Sequence, residues 1–296
     1  MNSSLHSSPR GAWLTLLRPA NVVTAAADIL AGAAVSGSPM ASKLAWLLPA
    51  SGCLYAGGVV LNDYFDRGID KVERPERPIP SGGISPGTAR NFGTMLLVAG
   101  VALAAAVGAE SMAVAGGLAM AIVLYDAISK RDAFAGPVNM GACRALNLML
   151  GMTIRPGALA QHAWLGLLPL VYIAGVTVLS RGEVAGGKRP VALLALALVG
   201  AIAAAAGWLA LGARQDVIWW ASALAAVFAF RVLPPFWAAW REPSPGLIRT
   251  AVRRGVLSLV ILDAVIAAAY ADIMVSLAVL ATAFLAGWLA RLFAVT

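Results

Sequence analysis

Apolar residues recur along the chain in ten long blocks, at 20–36, 44–61, 91–109, 111–128, 136–154, 163–180, 190–211, 216–233, 251–270 and 273–293, with short polar stretches between them. Each block is long enough for a helix to cross a hydrocarbon core roughly 30 Å thick. Buried core helices of a soluble protein would be shorter and would not recur so regularly. Ala and Gly are abundant inside the blocks, which suits helices packed closely in lipid, where small residues let backbones approach. Backbone polar groups in lipid must be satisfied within the segment, so the pattern predicts helices.

The expectation is an all-α, multi-pass transmembrane helical bundle of nine to ten helices, because the last two blocks allow either count. The gaps hold no soluble domain, so residues 1–296 form a single domain. The N-terminal stretch through Pro19 has an apolar run broken by Arg18 and no small-residue cleavage site after it, and is expected to be retained.

Composition agrees. Apolar residues make up 60% of the chain and charged residues only 12%, against roughly 25% charged in an ordinary soluble domain. The net charge of +8 gains meaning once it is placed. Arg10 and Arg18 precede the first block. Arg67, Lys71, Arg74, Arg77 and Arg90 follow the second; Lys130 and Arg131 follow the fourth; Arg181, Lys188 and Arg189 follow the sixth. Arg231, Arg241, Arg249, Arg253 and Arg254 gather around the end of the eighth. Only Lys43, Arg155 and Arg214 occupy the opposite loops, while Arg144 and Arg291 lie in or at the end of blocks. The positive-inside rule makes the rich face cytoplasmic in a cell-membrane protein. Basic residues scattered over juxtamembrane loops exclude a nucleic-acid partner. Cys53 and Cys143 both lie inside apolar blocks and form neither a disulfide framework nor a metal-ligand spacing. His6 and His162 lack ligand companions and read as solvated.

The candidate chemistry starts where the second block ends, at Asn62-Asp63-Tyr64-Phe65-Asp66-Arg67-Gly68-Ile69-Asp70. If the helix continues, Asn62, Asp66 and Asp70 drift only about 40° per step and form one stripe, with Asp63 beside it. Hard oxygen donors at this spacing suit Mg²⁺, which takes one or two carboxylates and completes its shell with water and phosphate oxygens. A diphosphate is the natural partner. The segment Lys71 to Gly82 supplies cations, Arg74 and Arg77 among them, for phosphate oxygens, and its prolines shape a loop over a polar site. The plainer reading is a solvated charge run. It fits less well, because the acids begin at the membrane boundary, keep helical spacing and precede an arginine/proline segment.

The stretch from Asn62 to Gly82 resembles the first aspartate-rich motif of the UbiA superfamily of intramembrane prenyltransferases: an NDxxDxxxD pattern, an arginine/proline loop and a small-residue exit. Leu17-Arg18-Pro19-Ala20-Asn21 and Tyr125-Asp126-Ala127-Ile128-Ser129-Lys130-Arg131 agree in position with that family's arginine-proline pair and its tyrosine-to-lysine/arginine segment. The resemblance implies a metal role for Asn62, Asp63, Asp66 and Asp70. Asp63, Asp66 and Asp70 would be catalytic, and Arg67, Arg74, Arg77, Lys130 and Arg131 would hold the diphosphate. The run Gly136 to Asn147, containing Asn139, Arg144 and Asn147, is similar to an EboC-like branch linked to secondary metabolism and export. One departure stands out. Family members carry a second motif, DxxxD, at the end of the sixth span, where this chain has Val176-Thr177-Val178-Leu179-Ser180-Arg181-Gly182-Glu183. Glu183 is the sole acid there, and Arg181 and Lys188 are candidates to take over diphosphate charge.

Polar residues inside the blocks complete the inventory. Arg144 and Asn147, three apart, face one way, towards the bundle interior. Arg144 reads either as a substrate-orienting cation or as a structural partner of a carboxylate or carbonyl. Asp28 and Asp263 read as hydrogen-bonded helix contacts. The implied function is prenyl transfer from a Mg²⁺-bound prenyl diphosphate to a small, for example aromatic, acceptor inside the membrane, with lipid as the surrounding partner. The rivals are a non-catalytic lipid-binding or export component that keeps one diphosphate motif, and, more remotely, a transporter, against which stands the lack of matched Gly/Pro-broken spans.

Overall fold

A computed structural model describes residues 9–293. His6 and the first eight residues of the N-terminal segment lie outside it, as does the side chain of Arg10. The helices are α1 (Pro9–Leu17), α2 (Pro19–Val35), α3 (Leu44–Glu73), α4 (Pro86–Ala105), α5 (Ala109–Ala127), α6 (Ala135–Met152), α7 (Ala158–His162), α8 (Leu167–Ser180), α9 (Arg189–Leu211), α10 (Ile218–Arg241), α11 (Pro245–Tyr270) and α12 (Ile273–Phe293). Apart from the short α1 and α7, they match the ten apolar blocks one for one. Short connections join the long helices, as in an antiparallel bundle.

Eight helical segments are long and apolar enough to cross a membrane. The long helices not among them, α6 and α11, carry the polar residues that face the interior. Large apolar side chains point outward around the bundle: Phe284 is 81% exposed and Phe230 78%. Such a surface needs lipid as its solvent. Together with the eight spans, it makes the chain a multi-pass membrane protein.

Helices α2 and α6 form a central septum, contributing to apolar clusters on both sides. Ala27, Ala31, Leu148 and Met152 pack with α8 to α12; Ile29, Ala33 and Leu150 pack with α3, α4 and α5. The septum depends on glycine. A Cβ on Gly32 would stand 2.1 Å from the Leu148 carbonyl oxygen, and one on Gly151 would stand 2.4 Å from that of Ile29.

Two expectations need correcting. Helix α10 runs through Pro234 and Pro235 to Arg241, so Arg231 lies within the helix, near the Ser258 hydroxyl at 3.4 Å, and not in the following loop. His162 is half-buried at the end of α7, its ring set edge-on against Tyr270 at 5.3 Å, and is not free in solvent. The continuation on which the acidic stripe depends is present: the second block runs on as one helix to Glu73, twelve residues past its apolar pattern, and Asp70 finds a cationic partner there.

Candidate active site

Helix α3 builds the site. Its 30 residues make about 45 Å of helix, more than the roughly 30 Å of a hydrocarbon core, so its last turns carry the acidic motif out at the polar boundary. The continuous helix sets Asn62, Asp66 and Asp70 on one stripe. Asp63 and Asp70 are only 3% and 2% exposed, and carboxylates so buried need cations. Arg77, in the loop after α3, stands 3.2 Å from Asp63 and 2.7 Å from Asp70, with Arg74 3.8 Å from Asp70.

Arg18 reaches Asp63 from the other side at 2.6 Å. It occupies the break between α1 and α2 with φ 46°, ψ 63°, and is the one non-glycine residue with positive φ among those described. The proline after it disfavours right-handed helical geometry, and the left-handed alternative costs roughly 1–2 kcal/mol. The contact with Asp63 offsets that cost and gives the strained residue a role in the site.

Lys130 lies 2.6 Å from Asp66, an ion pair outside hydrogen-bond alignment. It sits on a single 3₁₀ turn, Ser129–Arg131, that is braced on several sides. Asn139 of α6 donates to the Ser129 hydroxyl at 2.9 Å, and Arg181, at the end of α8, donates to the carbonyls of Lys130 and Asp132. The Asp132 carboxylate accepts the amides of Ala135 and Phe134 at the start of α6, which holds it below the usual carboxylate range. Asp126, one turn before Lys130, accepts from Asn62 at 2.8 Å, while its other oxygen is buried without a partner.

Below this rim opens a cavity of about 380 Å³. Arg18, Asn62 and Asp126 stand at its mouth, Val59, Leu118, Ile122 and Met140 form apolar walls, and Ser51, Tyr55, Arg144 and Asn147 close its inner end. Among the described residues, no three acidic, histidine or cysteine side chains converge to hold a cation unaided. The donor set is carboxylates spread along a rim, with one orphaned oxygen on Asp126. That set fits a hard cation that draws the rest of its shell from phosphate oxygens and water.

The structure thus draws together Asn62, Asp63, Asp66, Asp70, Arg77 and Lys130. It leaves others outside the cluster. Arg67 is exposed and turned back on its own helix, donating to the Tyr64 carbonyl at 2.8 Å and lying 4.4 Å over the Tyr64 ring. Arg74 and Arg131 are exposed. Arg144 sits at the inner end, 3.3 Å from Asp28. Glu183 is half-buried; burial raises its carboxyl above the usual range, opposed by Arg249, which also donates to the Glu183 carbonyl at 3.1 Å. Sequence reasoning assigned no role to Arg18 or Asp126, although both lie in segments that it singled out. The signal for Arg18 was a lone arginine before a proline at a helix start; for Asp126, an acid one turn before a lysine.

An aspartate-rich helix end and cations gathered from three other segments stand over an apolar cavity within the helical bundle. The UbiA prenyltransferase family model matches residues 21–189, more than half of the chain, and the chain belongs to that family. It is 38% identical over 149 residues to a digeranylgeranylglyceryl phosphate synthase of Methanothrix thermoacetophila and 35% identical over 163 residues to one of Methanopyrus kandleri. These matches cover 50% and 53% of this chain and 54% and 58% of the relatives, so the chain spans little more than half the length of these curated relatives. The fold is similar to that of a UbiA homolog from Archaeoglobus fulgidus bound to GPP and Mg²⁺, with TM-score 0.65, 16% identity and coverage of 93% of this chain and 99% of the other. It is also similar to a UbiA homolog from Aeropyrum pernix, with TM-score 0.68, 16% identity and coverage of 83% and 96%.

Proposed function

We propose that this protein is an intramembrane prenyltransferase that takes an isoprenyl group from a Mg²⁺-bound prenyl diphosphate and passes it to a small acceptor in the cavity. The observation that carries this reading is the rim itself: four carboxylates, Asp63, Asp66, Asp70 and Asp126, interleaved with Arg18, Arg77 and Lys130 above an apolar chamber. The Archaeoglobus fulgidus homolog bound to GPP and Mg²⁺ supports the choice of ligand and metal.

Asn62, Asp63, Asp66 and Asp126 would hold the metal, and Asp70 would keep Arg77 in place. The metal, when bound, supplies Lewis-acid stabilisation of the charge that grows on the leaving diphosphate. Each cation of the rim now neutralises a carboxylate. Were Asp63 and Asp66 to hold the metal, Arg18 and Lys130 would be free to donate to the phosphate oxygens, beside the Arg77 that Asp70 keeps in place, and no charge would be stranded. As the allylic C–O bond stretches, the walls formed by Val59, Leu118, Ile122 and Met140 keep water from the developing carbocation. Arg67, Arg74 and Arg131, exposed at the same face, would draw the anionic donor in from the cytoplasmic side of a cell membrane.

The finer placement, beside the EboC-like branch, rests on the run Gly136 to Asn147. The relatives are named for a glyceryl phosphate product, which makes a glyceryl lipid a second candidate acceptor beside an aromatic one. One observation favours a non-catalytic lipid-binding or export role: Glu183, the sole acid after α8, lies beside Arg249 and offers no aspartate pair. Purified protein incubated with a panel of isoprenoid diphosphates and both acceptor classes, with and without Mg²⁺, separates the readings by mass spectrometry. Mg²⁺-dependent diphosphate release supports the enzyme; tight diphosphate binding with no release in any combination refutes it.

A further inference from the structure

The inner end of the cavity holds a second polar cluster, separate from the acidic rim. Asp28 of α2 accepts from the Asn147 amide at 2.7 Å and stands 3.3 Å from Arg144 Nε, both on α6. The Asn147 amide also donates to the Ala25 carbonyl at 2.9 Å and accepts from the Ser51 hydroxyl at 2.7 Å, so its capacity is nearly used up. Asp263 of α11 lies against Asp28, and both are fully buried. One oxygen of Asp28 and both of Asp263 have no hydrogen-bond partner. Two hydrogen-bonding groups remain open to the cavity. Arg144 and Tyr55 both line it, and neither side chain makes a hydrogen bond among the described residues. Tyr55 lies two turns, about 10 Å, from Asn62 along α3. That separation leaves room for a diphosphate and its first ester carbon between rim and inner end.

We infer that this inner end is the acceptor subsite and that it takes an electrically neutral, oxygen-bearing head group, held by Arg144 and Tyr55. The inference rests on the prenyltransferase reading and deepens it. Its basis is charge. Asp28 already cancels Arg144, and the neighbouring Asp263 adds no positive charge to the cluster. An anionic head group would bring an unbalanced charge into the middle of the bundle, where nothing offsets it. Neutral hydroxyl or carbonyl oxygens accept the open N–H and O–H donors without that penalty. The subsite therefore selects against a phosphate such as that carried by the product for which the archaeal relatives are named. Asp28 and Asp263 are positioning residues: they fix the Arg144 fork and set its net charge.

The test uses the full chain in phosphatidylcholine nanodiscs with two probes that differ in one group, monooleoylglycerol and its 3-phosphate. Binding is read by native mass spectrometry. With the rim filled by the unreactive geranyl S-thiolodiphosphate and Mg²⁺, so that the phosphate probe cannot settle there, the parent should bind the neutral probe at least tenfold more tightly than the phosphate. Arg144→Gln should lose that binding at least tenfold. Asp28→Asn combined with Asp263→Asn, which together leave Arg144 uncompensated, should invert the preference, whereas Asp263→Asn alone should leave it unchanged. An inversion of selectivity is a readout that a merely structural role would not produce. If the double variant fails to fold, the parent and Arg144→Gln decide the matter. Mg²⁺-dependent binding of geranyl diphosphate, measured in parallel, keeps the two proposals apart. A parent that binds geranyl diphosphate but prefers the phosphate probe overturns the neutral subsite alone; a parent that does not bind geranyl diphosphate overturns the donor reading on which the subsite rests.

Discussion

Arg77 is the residue whose loss is most readily worked from the structure. It is the main cation of Asp70, at 2.7 Å, and one of two on Asp63; the carboxylate side chains are 3% and 4% exposed, its own 22%. Removing one partner of a fully buried ion pair costs about 3–5 kcal/mol. Arg74 remains 3.8 Å from Asp70 and Arg18 remains 2.6 Å from Asp63. With those partners left and some solvent access, Arg77→Gln should cost about 2 kcal/mol. SDS titration of the purified protein in mixed micelles, followed by circular dichroism, reads that loss. Asp70→Asn in the Arg77→Gln background should recover most of it, because the stranded charge is gone, and a double-mutant cycle should return a coupling of about 1–2 kcal/mol. Arg77→Gln should also raise the dissociation constant for geranyl diphosphate with Mg²⁺ about 30-fold, the equivalent of one lost charge-assisted contact near 2 kcal/mol. The double variant should share that defect. If Arg77→Gln is as stable as the parent, the buried carboxylates do not depend on it. If geranyl diphosphate affinity is unchanged, Arg77 does not donate to the phosphate.

Asp126→Asn removes the orphaned oxygen but keeps an acceptor for Asn62, so Mg²⁺-dependent diphosphate release should fall at least tenfold with no loss of thermal stability; unchanged release excludes Asp126 from the metal site. Gly151→Ala pushes a methyl group into the Ile29 carbonyl across the α2–α6 septum and should destabilise the fold by about 1–3 kcal/mol, against no effect for Gly207→Ala, where a Cβ meets nothing within 4 Å. Burial lets Glu183 keep its proton to higher pH in the folded protein than in the unfolded chain, so stability should fall as pH rises through the window above the usual glutamate value, about 4.3. Glu183→Gln should flatten that dependence in thermal melts between about pH 4 and 7. Cysteines introduced at Ser81 and Gly187 should react with an impermeant maleimide from the same side of the membrane; labelling from opposite sides would refute the one-face arrangement of the basic loops.

Sequence alone determined the membrane class, a bundle of nine to ten long helices and, given a continuous helix, the acidic stripe, because each follows from local periodicity: lipid imposes the length of an apolar block, and a helix fixes which of Asn62, Asp63, Asp66 and Asp70 share a face. It also placed Arg144 and Asn147 together, three residues apart on one helix. What it did not determine was pairing across helices. Arg18 meets Asp63 across 45 residues, Asn62 meets Asp126 across 64, and Asn147 meets Asp28 across 119. No periodicity carries such contacts. They arise because the glycine-lined septum brings α2 and α6 close enough for buried charges to find counterparts, and because α3 outruns the lipid far enough for loop cations to close over its end. Along the chain, Asp28 and Asp263 are isolated acids in separate apolar blocks; the folded bundle sets them side by side behind Arg144, since a buried charge in lipid is tolerated only where another segment can balance it.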